Sequence, residues 1–496
     1  MVDVVQNRKL HRFLVWPALL AIVIFVLSGF MHILLTWTGP QTAVSKPPQQ
    51  LFGASHLQAI PVILKNYHIT EASIIKMLPA VNAPLLQVTE NRMAPRRYFD
   101  PRTGQELPDY DEKQARWLAD YYLTVPYQDA VYNIKSVSFQ SEFDDEYPRV
   151  NRLLPVYKVV YEGDSGLTLY VHTETMALAN ISNHWKRNVQ KLFQQLHTWQ
   201  WMQGYHFGRI VLMMIFLSCL CGMVLTGITL LLVVRNPGKR KYVRRWHRIL
   251  GCGFCIPLFG FVASGIYHLL YSEYAQKQQD FNLGQPLLIN LNTINAMPSV
   301  DFLNQPLHSV SLIRAGEQLF YRASMAEQIS ADEHDHHRHD AIKVRNERFD
   351  GIAREQGGVY VALAEGSRNR LLTDENVARQ LAMDYMQLTV DKIISIEKVT
   401  RFGPDYDFRN KRLPVWRIAI DNDQADVLFV DVASGVLVDR VNSASRIEGY
   451  SFSFLHKWNF LTAPIGRENR DALIVFVLTL ALLLALLGVR LRIKPS

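Results

Sequence analysis

Two pairs of histidines stand in matched register. Residues 11–34 read HRFLVWPALLAIVIFVLSGFMHIL, and residues 247–270 read HRILGCGFCIPLFGFVASGIYHLL. His11 and His32 bracket the first stretch, His247 and His268 the second; each pair is 21 residues apart, and the offset between stretches is 236 at both ends. Chance rarely produces that twice, so the chain reads as an internal duplication. An imidazole at the rim of an apolar span is costly unless it is paired, hydrated or liganded. Neutral imidazole is also the commonest metal ligand among side chains. Over 21 residues a helix rises roughly 31 Å and returns close to the same face, so each span carries one histidine at either border. If the halves pack about a two-fold axis along the bilayer normal, His11 faces His247 and His32 faces His268. The competing reading for each is interfacial anchoring to lipid headgroups.

A third pair follows the same logic. Leu196-His197-Thr198-Trp199 and Leu455-His456-Lys457-Trp458 are 259 residues apart, 23 more than the first offset. His197 and His456 therefore compete with His32 and His268 for a site on that side, or line a substrate site. His206 has no counterpart and ranks below them. The extra 23 residues fall near 324–350, where the run Asp332–Asp340 holds His334, His336, His337 and His339. Imidazoles and carboxylates at that density can bind a divalent transition metal; the alternative is a solvated loop. Cys252-x-x-Cys255 has the spacing of a redox pair, yet small thiols are ordinary filler in apolar helices. Ser28, Gly29, Ser264 and Gly265 lie one turn inside the outer histidines, where small residues permit close approach of a helix or a flat ligand.

The elements that must position these residues are four apolar blocks, 14–36, 209–234, 249–271 and 472–489, each near the length that crosses a bilayer. The net charge of +8 is concentrated at their ends. Residues 235–248 hold seven Lys or Arg and no acid, Arg8, Lys9 and Arg12 precede the first block, and Arg490, Arg492 and Lys494 follow the last. With alternating helices these clusters share one side, which the positive-inside bias assigns to the cytoplasm. Both termini are then inside. That placement, rather than nucleic-acid binding, accounts for the basic balance. The chain divides into an N-terminus with the first span (1–37), an outer region (38–206), a second span (207–234), a basic loop (235–248), a third span (249–271), a second outer region with the histidine-rich run (272–470), and a fourth span with its tail (471–496). All four cysteines lie in the spans, so each outer region must build a core without disulfides.

Both outer regions show one order of elements. Residues 111–124 have helical spacing, and Leu154–Tyr161 and Leu167–Val171 alternate like a hairpin around a turn at Glu162–Gly166. In the second region 375–389 reads as a helix and 392–401 as a strand, and Leu413–Ile420 pairs with Val427–Asp431. RLLPVYKVVY matches KRLPVWRIAI directly. The expected fold is an α+β membrane protein with four transmembrane helices in two tandem repeats, each with a helix-plus-antiparallel-sheet unit outside.

The His-Arg helix starts, the Leu-His before each return helix and the sheet units ending near Val-Asp-x-x-Ser-Gly resemble the PepSY-associated transmembrane family. The resemblance covers nearly the whole chain, through short motifs. It implies periplasmic PepSY-like units, a bacterial inner-membrane location and b-type haem, as in the iron-regulated proteins and ferric-siderophore reductases of similar layout. On that implication two haems are expected. His11 and His247 hold one; the other falls to His32 and His268 or to His197 and His456. If His197 and His456 each pair with His32 or His268 instead, there are two outer haems and three in all.

Two functions compete. The first is electron transfer through haem to a ferric chelate or siderophore outside, with a cytoplasmic flavin, flavoprotein or quinol as donor. No glycine-rich dinucleotide fingerprint follows a strand, so the chain brings no nicotinamide or flavin domain of its own. Ligands about 31 Å apart along a helix imply widely spaced haems. The second is a non-enzymatic sensor that recognises a peptide, protein or metal chelate through free strand edges. A transporter is weaker, because the spans carry no acid at mid-depth.

Overall fold

The structure is a computed structural model. It describes residues 3–41, 47–124, 132–234, 242–274, 287–291, 294, 305–316, 318–325, 357–362 and 372–493. The histidine-rich run with His334, His336, His337 and His339 lies outside the described residues, as does the first half of the basic loop, 235–241. In chain order the helices are α1 (Val4–Phe13), α2 (Val15–Thr38), α3 (Ala54–Asn66), α4 (Tyr110–Thr124) and α5 (His184–His197). They continue as α6 (His206–Val233), α7 (Tyr242–Tyr274), α8 (Asp374–Met386), α9 (Ser443–Ser451) and α10 (Thr462–Ile493). The chain forms two compact units: Met1–Gly39 with Trp185–Lys277 and Ala444–Ser496, and Pro40–His184 with Gln278–Ser443.

In the first, helical unit, four stretches are long and apolar enough to cross a membrane: Val15–Thr38, Gln200–Val233, Tyr242–Glu273 and Asn459–Ile493. They touch in a ring, α2 to α6, α6 to α7, α7 to α10 and α10 back to α2. Small residues permit the closeness: Ala18 and Ala21 of α2 pack with Leu220 and Val262 at the centre, and Leu478 lies where a Cβ on Gly29 would reach.

The first span differs from its sequence reading in one respect. His11 and His32 do not share a helix, because the chain breaks at Leu14 between α1 and α2. Pro17 has no N–H to give the Phe13 carbonyl, so the ladder fails there. In the corresponding stretch α7 runs unbroken from before His247 past His268. The fourth helix is longer than the apolar block suggests, since the polar Arg467–Asp471 is helical too, beyond a kink at Gly466 (φ 78°, ψ 163°).

The second, polar unit holds three larger antiparallel sheets. Two have four strands in the same order. One runs Ala177–Ser182, Thr168–His172, Val156–Tyr161, Ile134–Gln140; the other Val436–Val441, Val427–Asp431, Val415–Ile420, Ile393–Val399. Their registers correspond, with Tyr157 opposite Val171 and Trp416 opposite Val430. The peptide bonds before Pro155 and Pro414 are both cis. Helix α4 buries Ala115, Leu118 and Ala119 against the first sheet, and α8 buries Val377, Ala378 and Ala382 against the second.

The third sheet has eight strands among the described residues, drawn from both outer regions. Its order is Val359–Ala362, Gln318–Met325, Pro306–Ala315, Ile74–Leu78, Leu85–Thr89, Arg97–Asp100, Gln105–Glu106, with Gln50–Leu51 added on Pro306–Ala315. Ile75 pairs with Leu312 and Met77 with Val310. The core beneath it joins Phe52, Leu57 and Ile60 to Leu307, Val310 and Tyr321.

Candidate functional site

The histidines gather at the two ends of the helical bundle. At the basic end, His11 Nδ1 lies 2.9 Å from Thr226 Oγ1 on α6. That hydroxyl already donates to the Gly222 carbonyl at 2.7 Å, so it accepts from His11, which must carry its proton on Nδ1. His247 Nδ1 donates to the Leu484 carbonyl of α10 at 3.3 Å. Each ring sits over a glycine of a return helix. A Cβ on Gly227 would come 3.5 Å from His11 Cε1, and one on Gly488 would come 3.3 Å from His247 Cε1. His11 and His247 are within electrostatic reach of each other.

At the opposite end six rings form a row. His32 packs against Phe193 with centroids 5.4 Å apart, and Phe193 stacks on His197 at 4.9 Å. His197 meets His456 at 6.2 Å, with planes 75° apart. His456 stacks on Phe452 at 4.7 Å, and Phe452 on His268 at 4.3 Å. The row is built by helix spacing: Phe193 precedes His197 by four residues, and Phe452 precedes His456 by four, so each pair shares a helix face. The second pair sits in a single π turn, Phe452–His456, that continues α9.

The central histidines are held alike. Ser28 Oγ donates to the Phe25 carbonyl and lies 2.8 Å from His197 Nδ1. Ser264 Oγ donates to the Gly260 carbonyl and lies 3.3 Å from His456 Nδ1. Phe25 and Phe261 each present an edge to the ring beside them at 5.7 Å. The donor logic again puts the proton on Nδ1 and leaves the Nε2 lone pair open in both rings. Burial, then the charge of His268, lowers the pKa of His197 to about 4. Burial, then His197, Lys457 and His268, lowers that of His456 to about 3. Both are neutral at ordinary pH, the state in which imidazole ligates.

His268 Nδ1 bonds Glu448 Oε1 at 2.5 Å. The outer rings that meet across the bundle are thus His197 and His456, with His32 and His268 one phenylalanine further out. His206 pairs with Glu273 at 2.7 Å, together with Arg209. Cys255 points its thiol at the Cys252 carbonyl. Among the described residues no cluster of three or more His, Cys, Asp or Glu is placed to hold a metal ion.

Sequence reasoning missed the two phenylalanines of the row, although their four-residue spacing from His197 and His456 was legible. It also missed a buried pair at the head of α10, where Arg470 grips Asp471 at 2.6 Å and Trp37 Nε1 donates to the same carboxylate at 3.4 Å.

No curated protein and no solved structure matches the chain. A bundle of four membrane-length helices joined to a polar unit of helices and antiparallel sheets agrees with a family model that matches residues 8–385, the PepSY-associated TM region; the chain belongs to that family.

Proposed function

We propose that the protein is an inner-membrane electron-transfer protein holding two b-type haems between symmetric histidines. It would pass electrons from a cytoplasmic flavin, flavoprotein or quinol to a ferric chelate or siderophore outside. The polar unit is taken as periplasmic, both termini as cytoplasmic, and the two halves as tandem repeats.

One observation carries the reading: His197 and His456 are neutral, half-buried and protonated on Nδ1, with Nε2 lone pairs available and centroids 6.2 Å apart. Neutral imidazole is the form that ligates haem iron, and these two rings come together from the segments before the two return helices. The donor set therefore fits a bis-imidazole centre, and His197 and His456 would hold the outer haem. His11 and His247, with the same tautomer, would hold the other. When bound, haem would supply a one-electron couple, tuned by the hydrogen bonds of the histidines that hold it. The chain's own part is to fix the ring tautomers through Ser28, Ser264, Thr226 and the Leu484 carbonyl. His32 and His268 end the row of rings and would face the acceptor's side, with Glu448 orienting His268.

The test is the absorption spectrum of the purified chain. A Soret band that shifts on dithionite reduction, with two haems per chain, supports the proposal. A haem-free chain folded as described here overturns it and leaves recognition of a peptide, protein or chelate by the polar unit.

A further inference from the structure

Two carboxylates hold corresponding places in the polar unit, Asp111 in the first turn of α4 and Asp374 in the first turn of α8. Each accepts a tyrosine hydroxyl, from Tyr98 and Tyr360, and a backbone N–H, from Arg96 and Gly358. The arginine that meets them comes from different places. Arg322 grips Asp374 with two bonds of 2.9 Å, Nε to Oδ1 and Nη2 to Oδ2, and spends Nη1 on Ser324. Gly358 makes this possible, because a Cβ there would lie 2.4 Å from Arg322 Nε.

In the other half the two positions are exchanged. Gln87, opposite Tyr98 as Arg322 is opposite Tyr360, takes the arginine's place, and Arg96 takes the glycine's. From there Arg96 cannot grip its carboxylate: Nη1 stays 3.9 Å from Asp111 Oδ2. Nη2 reaches His172 Nε2 at 3.2 Å instead, and Nε and Nη1 make no hydrogen bond, though the side chain is 1% exposed. Other cations converge on the same spot. Lys76 Nζ and Arg412 Nη2 each stand 3.5 Å from Glu174, and Arg92 lies within electrostatic reach of Glu174 and Arg412. Arg92 Nη2 and Arg412 Nε also lack acceptors. Four cations thus face three carboxylates, Asp111, Glu174 and Asp431 (2.9 Å from Arg412 Nη1), with buried guanidinium donors and the Glu174 Oε1 acceptor unmet. Such donors are costly to leave empty.

We propose that this cluster binds an oxyanion, a carboxylate or phosphate group, between Arg92, Arg96 and Arg412. A guanidinium fork matches two oxygens of such a group, and one added negative charge balances the cluster. A cleft lined by Ser73, Arg314, Asp384, Tyr385, Ser434 and Gly435 borders it, with Ser434 accepting from Arg412 at 3.2 Å. The site lies wholly in the polar unit and does not depend on haem.

The experiment uses the full chain in detergent, titrated with inorganic phosphate, citrate or acetate at constant ionic strength, chloride making up the balance. Calorimetry and thermal unfolding should show saturable binding above the chloride baseline. Response to phosphate alone identifies a phosphate site; response to citrate and acetate identifies a carboxylate site. The double variant Gln87→Arg/Arg96→Gly rebuilds the arrangement of the other half, so it should fold while binding at least about tenfold more weakly, as losing a charge-assisted bond implies. Arg92→Gln, at the partly exposed rim, should weaken binding with little change in unfolding temperature in chloride. Absence of a saturable response to all three anions overturns the proposal, and so does unchanged affinity in both variants.

Discussion

In the helical unit, Ser28 and Ser264 make the same bond to His197 and His456, and Phe193 and Phe452 make the same stack. In the polar unit, the arginine that meets Asp374 stands at position 322, whereas the one beside Asp111 stands at position 96. The contrast follows from where each set of contacts closes. The histidines of the two halves meet each other, so a change in one must be tolerated by the other. Each aspartate closes its contacts within its own half, so its partner can shift position as long as one cation remains near. The contacts that the two sets of histidines share are alike; those that each aspartate closes separately differ.

The strongest way to break this comparison is to remove one of the central rings. His197→Ala and His456→Ala should each abolish the same haem signal completely, because one imidazole alone rarely retains b-type haem, while His11→Ala and His247→Ala should remove the other. Reduced-minus-oxidised spectra of the four variants check this. If His32→Ala or His268→Ala removes the outer signal while His197→Ala leaves it, the centre lies one phenylalanine further out.

A smaller effect should separate the two aspartate sites. Arg322→Gln breaks a buried two-bond pair and leaves Asp374 uncompensated, so the polar unit should lose about 3–5 kcal/mol in denaturant unfolding. Arg96→Gln should cost well under half of that, since the Arg96 guanidinium stands 3.9 Å from Asp111 and no side-chain hydrogen bond to that carboxylate is lost. Equal losses would mean that the 3.9 Å contact does more than its geometry suggests.

Acid should sharpen the same asymmetry. His172 stands where the other half has Asp431, and burial, then the Arg96 charge, push its pKa well down. The folded state therefore refuses a proton that the unfolded chain takes up below about pH 6.5. Stability should fall as pH drops through that value, with a slope approaching about 1.4 kcal/mol per pH unit, and His172→Gln should flatten it. Unfolding midpoints between pH 8 and 5 give the slopes.

The smallest difference concerns the two glycines. Gly227→Ala places its methyl at ordinary contact from His11 and should gain up to about 1 kcal/mol of helix propensity. Gly488→Ala meets His247 at 3.3 Å and should forfeit most of that gain. Thermal unfolding of the two variants compares them.

The parts legible in the sequence were those that depend on neighbours along the chain. The matched offsets of 236 and 259 picked out six of the histidines at the bundle ends, His206 being a further one, and alternation found Val156–Tyr161, Thr168–His172 and their counterparts. The meeting of His197 with His456 was not legible, because it depends on how two return helices are rotated about their axes. Nor was the pairing of Ile75 with Leu312, since period and turn signals carry no information about partners that far apart. The break at Leu14 was within reach, given Pro17, but the continuous apolar run concealed it.

That long-range pairing has a bearing on how the protein is made. The edge at Ile74–Leu78 receives its neighbour, Pro306–Ala315, only after more than two hundred further residues have left the ribosome. At 5–20 residues per second the wait is roughly 10–50 s. Meanwhile an apolar strand with an open edge stands complete on one side only, the situation in which strands pair with the wrong chain. The first polar segment thus depends on the second to complete its sheet, and expressing either half alone should yield an aggregating fragment rather than a module.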